Sequence, residues 1–113
     1  MPSFEKSPPE LVARFDAAAA RFPDVQRRKM FGYPALFVGG NLVTGLFADT
    51  WMIRLAEDDL AEILAVPGAT PFSPMGRTMR GYATLPPEVL ADDEALDGWL
   101  ARAIGFGKTL PAK

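Results

Sequence analysis

The 113-residue sequence contains neither cysteine nor histidine. Without cysteine there is no disulfide, no thiolate zinc site, no iron–sulfur cluster and no cysteine nucleophile. Without histidine the commonest neutral-pH base and the commonest metal ligand are both missing. Serine–histidine and cysteine–histidine chemistry are thereby excluded. No apolar run approaches the roughly 20 residues that span a bilayer. The start, Met-Pro-Ser-Phe-Glu-Lys, lacks the basic-then-apolar pattern of a secretory signal, so the expected setting is the cytoplasm, away from membranes.

What is present describes a folding chain. Hydrophobic residues make up 49% and charged residues 23%, which places the sequence among globular domains rather than disordered segments. Its length suits one domain, 1–113, with one modest core. Twelve Lys and Arg against 14 Asp and Glu give a net charge of −2, whereas a dedicated nucleic-acid binder is usually basic overall.

Ser7, two prolines and Glu10 have capping-box spacing, and Leu11, Val12, Phe15, Ala18, Ala19 and Phe22 recur at helical intervals. They predict a helix over 8–22, stopped by Pro23. From residue 25 to 55 β-branched and aromatic residues dominate, broken by turn signals, and predict strands at 25–31, 35–38, 42–48 and 51–55. Gly32-Tyr33-Pro34 and Gly39-Gly40-Asn41 read as breaks between them, and turns this short imply an antiparallel meander. A helix is expected over 57–65, then strands at 70–73 and 78–85 around a Pro74-Met75-Gly76 turn, then a helical turn at 88–90. The last helix starts at Asp92 or Asp93 with Leu96, Trp99, Leu100, Ala103 and Ile104 as its apolar stripe. Gly105 and Gly107 are expected to fray it, and the tail to be loose. The order helix, four strands, helix, two strands, helix predicts an α+β two-layer sandwich, an antiparallel sheet with helices mainly on one face.

The densest basic run, Arg27-Arg28-Lys29, has two readings. It contacts phosphate or an acidic partner, or it defends an edge strand against pairing. In a strand Arg27 and Lys29 face one way and Arg28 the other. Arg77 and Arg80 lie around Gly76 and Gly81, but Gly76-x-x-x-x-Gly81 lacks the Lys-Ser/Thr of a phosphate loop. The acidic residues gather at helix starts, where capping and the dipole explain them, and no spacing there implies a metal or cofactor. Tyr33 and Tyr82 are the aromatics expected to be partly exposed.

The stretch 28–42, with Arg28-Lys29-Met30-Phe31-Gly32 followed by a short strand and Gly39-Gly40-Asn41, resembles the signature of the TfoX/Sxy N-terminal domain family. Residues 71–82 and the following Leu85-Pro86-Pro87 are similar to its second block. The positions that match are Arg28, Lys29, Met30, Phe31, Gly32, Gly76, Arg77 and Tyr82. The resemblance implies a two-layer fold with an antiparallel sheet, and supplies no catalytic residues. Some longer members regulate natural competence and carry a second, C-terminal domain, which is not expected in this sequence. Physics gives the matching residues structural work, with Met30 and Phe31 in packing.

These observations point to a small non-catalytic interaction or regulatory module that docks a protein partner, or a second copy of itself, through a sheet edge or face. The candidate partner-binding residues are Arg27, Arg28, Lys29, Tyr33, Arg77, Arg80 and Tyr82. The alternative is nucleic-acid contact by a patch of Arg27, Arg28, Lys29, Arg77 and Arg80, with strong salt dependence. An enzyme built on carboxylates, arginine or tyrosine drawn from distant positions is the third class.

Overall fold

The computed structural model describes residues 6–113, Met75 by its backbone alone. Helix α1 spans Pro9–Ala20, with strands β1 Gln26–Met30, β2 Tyr33–Val38, β3 Asn41–Phe47 and β4 Thr50–Arg54 after it. Then come α2 Glu57–Leu64, a 3-10 turn at Pro74–Gly76, β5 Tyr82–Thr84, α3 Pro87–Leu90 and α4 Asp93–Thr109. One antiparallel sheet has the order β1-β2-β3-β4-β5. The α+β architecture expected from the sequence is therefore the one observed. No helix among the described residues is long and apolar enough to cross a membrane.

The helices cover one face of the sheet. Phe15 and Ala18 of α1, Ile63 of α2, Val89 of α3 and Leu96, Leu100, Ala103 and Ile104 of α4 bury against Leu36, Val38, Trp51, Ile53 and Ala83. At the centre, the Trp51 indole N–H donates to the Thr44 hydroxyl (2.8 Å), which donates to the Met52 carbonyl (2.6 Å). Both residues are buried, so an unmade bond here would carry the full desolvation cost. The Phe15 ring lies 5.1 Å from Trp51 and seats α1 on the sheet. The β2–β3 register shifts after Leu36, leaving Val43 as an extra residue beside Thr44.

The opposite face is not left open. Ala35, Leu42 and Met52 are roofed there by Phe72, with Met79 packed alongside. Both belong to the segment between α2 and β5. That segment replaces the expected strands at 70–73 and 78–85. Only the bridge Pro71↔Ala83 forms at its start, and β5 is confined to Tyr82–Thr84. Residues 78–81 turn away because Met79 N–H donates to the Phe72 carbonyl (2.8 Å), and Gly81 takes φ +88°.

Three further expectations are corrected. Ser7 makes no cap bond to α1, whose N-cap is Pro8. The α4 helix does not fray at its glycines. Its N-cap Asp92 accepts from the Glu94 and Ala95 N–H groups, and it runs on through Thr109. A Cβ on Gly107 would lie 2.6 Å from Val43 Cγ1, so glycine here lets the helix lie close on the sheet. The tail is not loose. Lys113 N–H donates to the Gly39 carbonyl (2.8 Å), and Asn41 Nδ2 donates to the Pro111 carbonyl (2.9 Å).

The two glycines of α4 therefore have opposite roles. Gly105→Ala, with open space around its Cβ, should raise stability by about 1 kcal/mol. Gly107→Ala should lower it by roughly 1–3 kcal/mol through overpacking against Val43. Urea unfolding of the two variants beside the parent checks both signs.

Candidate functional site

The residues singled out in the sequence lie on separate parts of the sheet. β1 is an edge strand with Gln26, Arg27, Arg28 and Lys29 all exposed. Arg27 turns to the helix layer, where Nε donates to the Asp16 carboxylate (2.6 Å). Arg28 faces the other way. Its guanidinium lies 5.6 Å from the Phe37 ring centre and donates to Gln26 Oε1. Lys29 makes no ion pair among the described residues. Arg77 and Arg80 are exposed on the roof segment that leads into β5. Arg27 and Arg28 therefore point to opposite faces of the sheet.

Tyr33 is buried (5% exposed), with its ring 5.3 Å from Phe47, which corrects the expected exposure. Tyr82 is half-buried, and Arg54 lies 5.7 Å from its ring and 5.8 Å from that of Phe106. Burial pushes the Tyr82 phenol above its ordinary value, and the neighbouring Arg54 only partly offsets this.

Phe31 was assigned to packing by the sequence, and it does not pack. It is 69% exposed, the exposed large hydrophobic residue among those described. It also holds φ +55°, and Gly32 follows at φ +82°. The turn between β1 and β2 is thus Phe31-Gly32, and Tyr33 and Pro34 already belong to β2. Two successive positive φ values define the hairpin turn whose twist matches the strands, for which Asn-Gly is the preferred pair. A bulky side chain in the left-handed region is strained, and such strain concentrates at functional positions. The residue pattern places the break at Gly32-Tyr33-Pro34; the signal for the true turn is Phe31-Gly32 as a two-residue connection ending in glycine.

Beside this turn lies a cleft of about 430 Å³ between the start of α1 and the hairpin. Val12, Phe31, Tyr33 and Pro34 give it apolar walls, and Arg27 and Lys29 stand at its rim. Among the described residues no group of three or more carboxylates converges to hold a metal.

Charge is segregated across the molecule. Between Asp24 and Glu57 the sequence contains one acid, Asp49, in the turn between β3 and β4, and no acid lies between Glu62 and Glu88. The helix layer carries most of the carboxylates. It also carries the ion pairs Arg14–Asp93, Arg21–Asp97 and Arg102–Glu62, and Lys108 of α4 pairs with Asp24. The Asp97 carboxylate raises the Arg21 guanidinium pKa, and Lys108 lowers that of Asp24.

Residues 17–106 match the TfoX N-terminal domain family, nearly the whole chain. The chain belongs to the TfoX N-terminal domain family. Comparison with curated proteins and with solved structures gives no match. The matched span holds the β1–β2 hairpin, the roof segment and most of α4, and leaves out the first half of α1 and the C-terminal tail. Membership in the TfoX N-terminal domain family supports a small domain of regulatory or competence-related type.

The Tyr82 shift gives a pH prediction. A raised folded-state pKa adds stability that is complete below the ordinary tyrosine value of 10.0 and is lost as pH rises through the folded value. Stability of the parent should therefore fall more steeply above pH 10.0 than that of Tyr82→Phe. Denaturant unfolding of both proteins between neutral and strongly alkaline pH measures the difference.

Proposed function

We propose that this TfoX N-terminal domain is a non-catalytic regulatory module that docks a protein partner at the corner formed by β1 and the Phe31-Gly32 turn. The observation that carries this reading is Phe31, strained at φ +55° and 69% exposed beside an apolar-walled cleft. A residue that contributes nothing to the core and adopts an unfavourable backbone conformation is explained by what it touches outside the chain.

The aromatic rings speak for a protein rather than a nucleic acid. Base stacking needs bare rings. Phe37 lies under Arg28 and Tyr82 under Arg54, which leaves Phe31 as one bare ring beside β1, where stacking of successive bases needs several. Self-association through β1 is disfavoured, since antiparallel pairing of two copies sets Arg27, Arg28 and Lys29 against like charges.

Phe31→Asn tests the reading, because packing and docking roles give opposite signs. A docking role predicts a stability gain of about 1 kcal/mol, since asparagine tolerates the left-handed conformation. That corresponds to a melting-temperature rise of roughly 3–6 °C at this chain length. The same variant should lose a partner that the parent and Arg77→Ala both retain in crosslinking. Destabilisation by Phe31→Asn, with the partner retained, removes the basis for the reading.

A further inference from the structure

We propose that the outer edge of β1 accepts an extended, acidic protein segment as a sixth strand of the sheet. This rests on the docking reading above and names the chemistry of the partner.

The two edges of the sheet are treated differently. The β5 edge is covered by the chain itself: Thr84 N–H donates to the Thr70 carbonyl (2.8 Å), and Phe72 N–H to the Tyr82 carbonyl (3.2 Å). Nothing among the described residues pairs with the outer side of β1. Its hairpin closes at Met30↔Tyr33 across a two-residue turn. In such a hairpin the closing pair exchanges both hydrogen bonds, and bonded and non-bonded pairs then alternate. Arg28↔Ala35 and Gln26↔Phe37 are therefore the other inward-bonded pairs, and the peptide groups of Arg27 and Lys29 face outward. Pro34, which has no N–H, stands opposite Lys29 at one of the non-bonded positions.

Charge selects the occupant. β1 itself contributes three consecutive cations and no acid, on both faces of the strand. The same charges that repel a second copy attract a strand carrying carboxylates, which would sit about 5 Å away in cross-strand pairs. Arg27 already has Asp16, so the β1 cations without an ion pair among the described residues are Arg28 and Lys29. The cleft beside Phe31 lies at the turn end of the same strand and suits one apolar side chain. The segment that fits is about five residues long, matching the roughly 17 Å of β1, with carboxylates along it and an apolar anchor at the Phe31 end. Strand addition supplies main-chain affinity, and the side chains supply selectivity.

The test uses the full chain, isotope-labelled, and three probes. They are an acidic β-branched decapeptide with one terminal Phe, the same peptide with lysine replacing each acid, and a single-stranded oligonucleotide. The expected result is that the acidic peptide shifts the Arg27 and Lys29 amide resonances and slows their exchange at least tenfold. Lys29→Pro removes an outward N–H at a position where an edge strand tolerates proline, and it should weaken binding at least tenfold with the fold's spectrum retained. Arg28→Glu with Lys29→Glu, which leaves the backbone donors in place, should weaken it comparably and bring in the lysine peptide.

Acidic-peptide binding that is unchanged in Lys29→Pro overturns strand addition. No binding of the acidic peptide at millimolar concentration, or binding mapped to Arg77 and Arg80, also overturns the proposal. The Phe31→Asn stability result would still stand in either case, leaving the docking reading intact. Oligonucleotide binding at β1 in place of the peptide overturns both.

Discussion

The fold is organised around the Thr44 hydroxyl. It accepts from the Trp51 indole and donates to the Met52 carbonyl, in a region with no water to substitute for either partner. Satisfying both bonds requires β3 and β4 in one register, with Thr44 and Trp51 as diagonal neighbours on the helix side. The extra residue Val43 delivers Thr44 to that face without disturbing the pairing of Phe37 with Leu42. Gly45 meets Met52 and Ala35 on the opposite face, where a Cβ would come within 3.2 Å of both. Phe15 then seats α1 on Trp51. The position of the β1–β2 hairpin relative to α1, and hence the cleft beside Phe31, follows from this centre.

Much of the fold was legible from residue patterns. The α1 and α4 stripes announce themselves because one-sided burial imposes a period on side chains, and the four-strand meander does so because runs of β-branched and aromatic residues are broken by short turn signals. Three features were not legible, for physical reasons. Thr78, Arg80 and Tyr82 alternate like a strand, but pairing depends on a neighbouring edge, and Phe72 and Met79 instead pin that segment across the sheet. Gly107 reads as a helix breaker unless the closeness of Val38 and Val43 is known. Lys113 is held by a carbonyl 74 positions away, which no local pattern encodes. Of the candidate site, the charge on β1 was legible. The exposure of Phe31 was not, because an aromatic residue after Lys-Met looks like core until its turn is located.

The two sheet edges embody different solutions to one problem. Unpaired backbone groups at an edge invite association with other chains. On the β5 side the chain satisfies them with its own backbone, at Thr70 and Phe72. On the β1 side no described residue pairs with them, and Arg27, Arg28 and Lys29 stand beside them. The first arrangement closes the edge to any partner. The second closes it only to partners of like charge.

The separation of carboxylates onto the helix layer and unpaired cations onto the sheet and its roof makes the molecule an electric dipole. A net charge of −2 is then a poor guide to what approaches it. At physiological ionic strength fields decay over about 8 Å, less than the thickness of a two-layer fold, so an incoming molecule senses one layer at a time. On the docking reading proposed above, an anionic segment would be repelled at the helix layer and attracted at β1, so that it arrives already oriented. A protein acidic to a titration would then be basic to that partner.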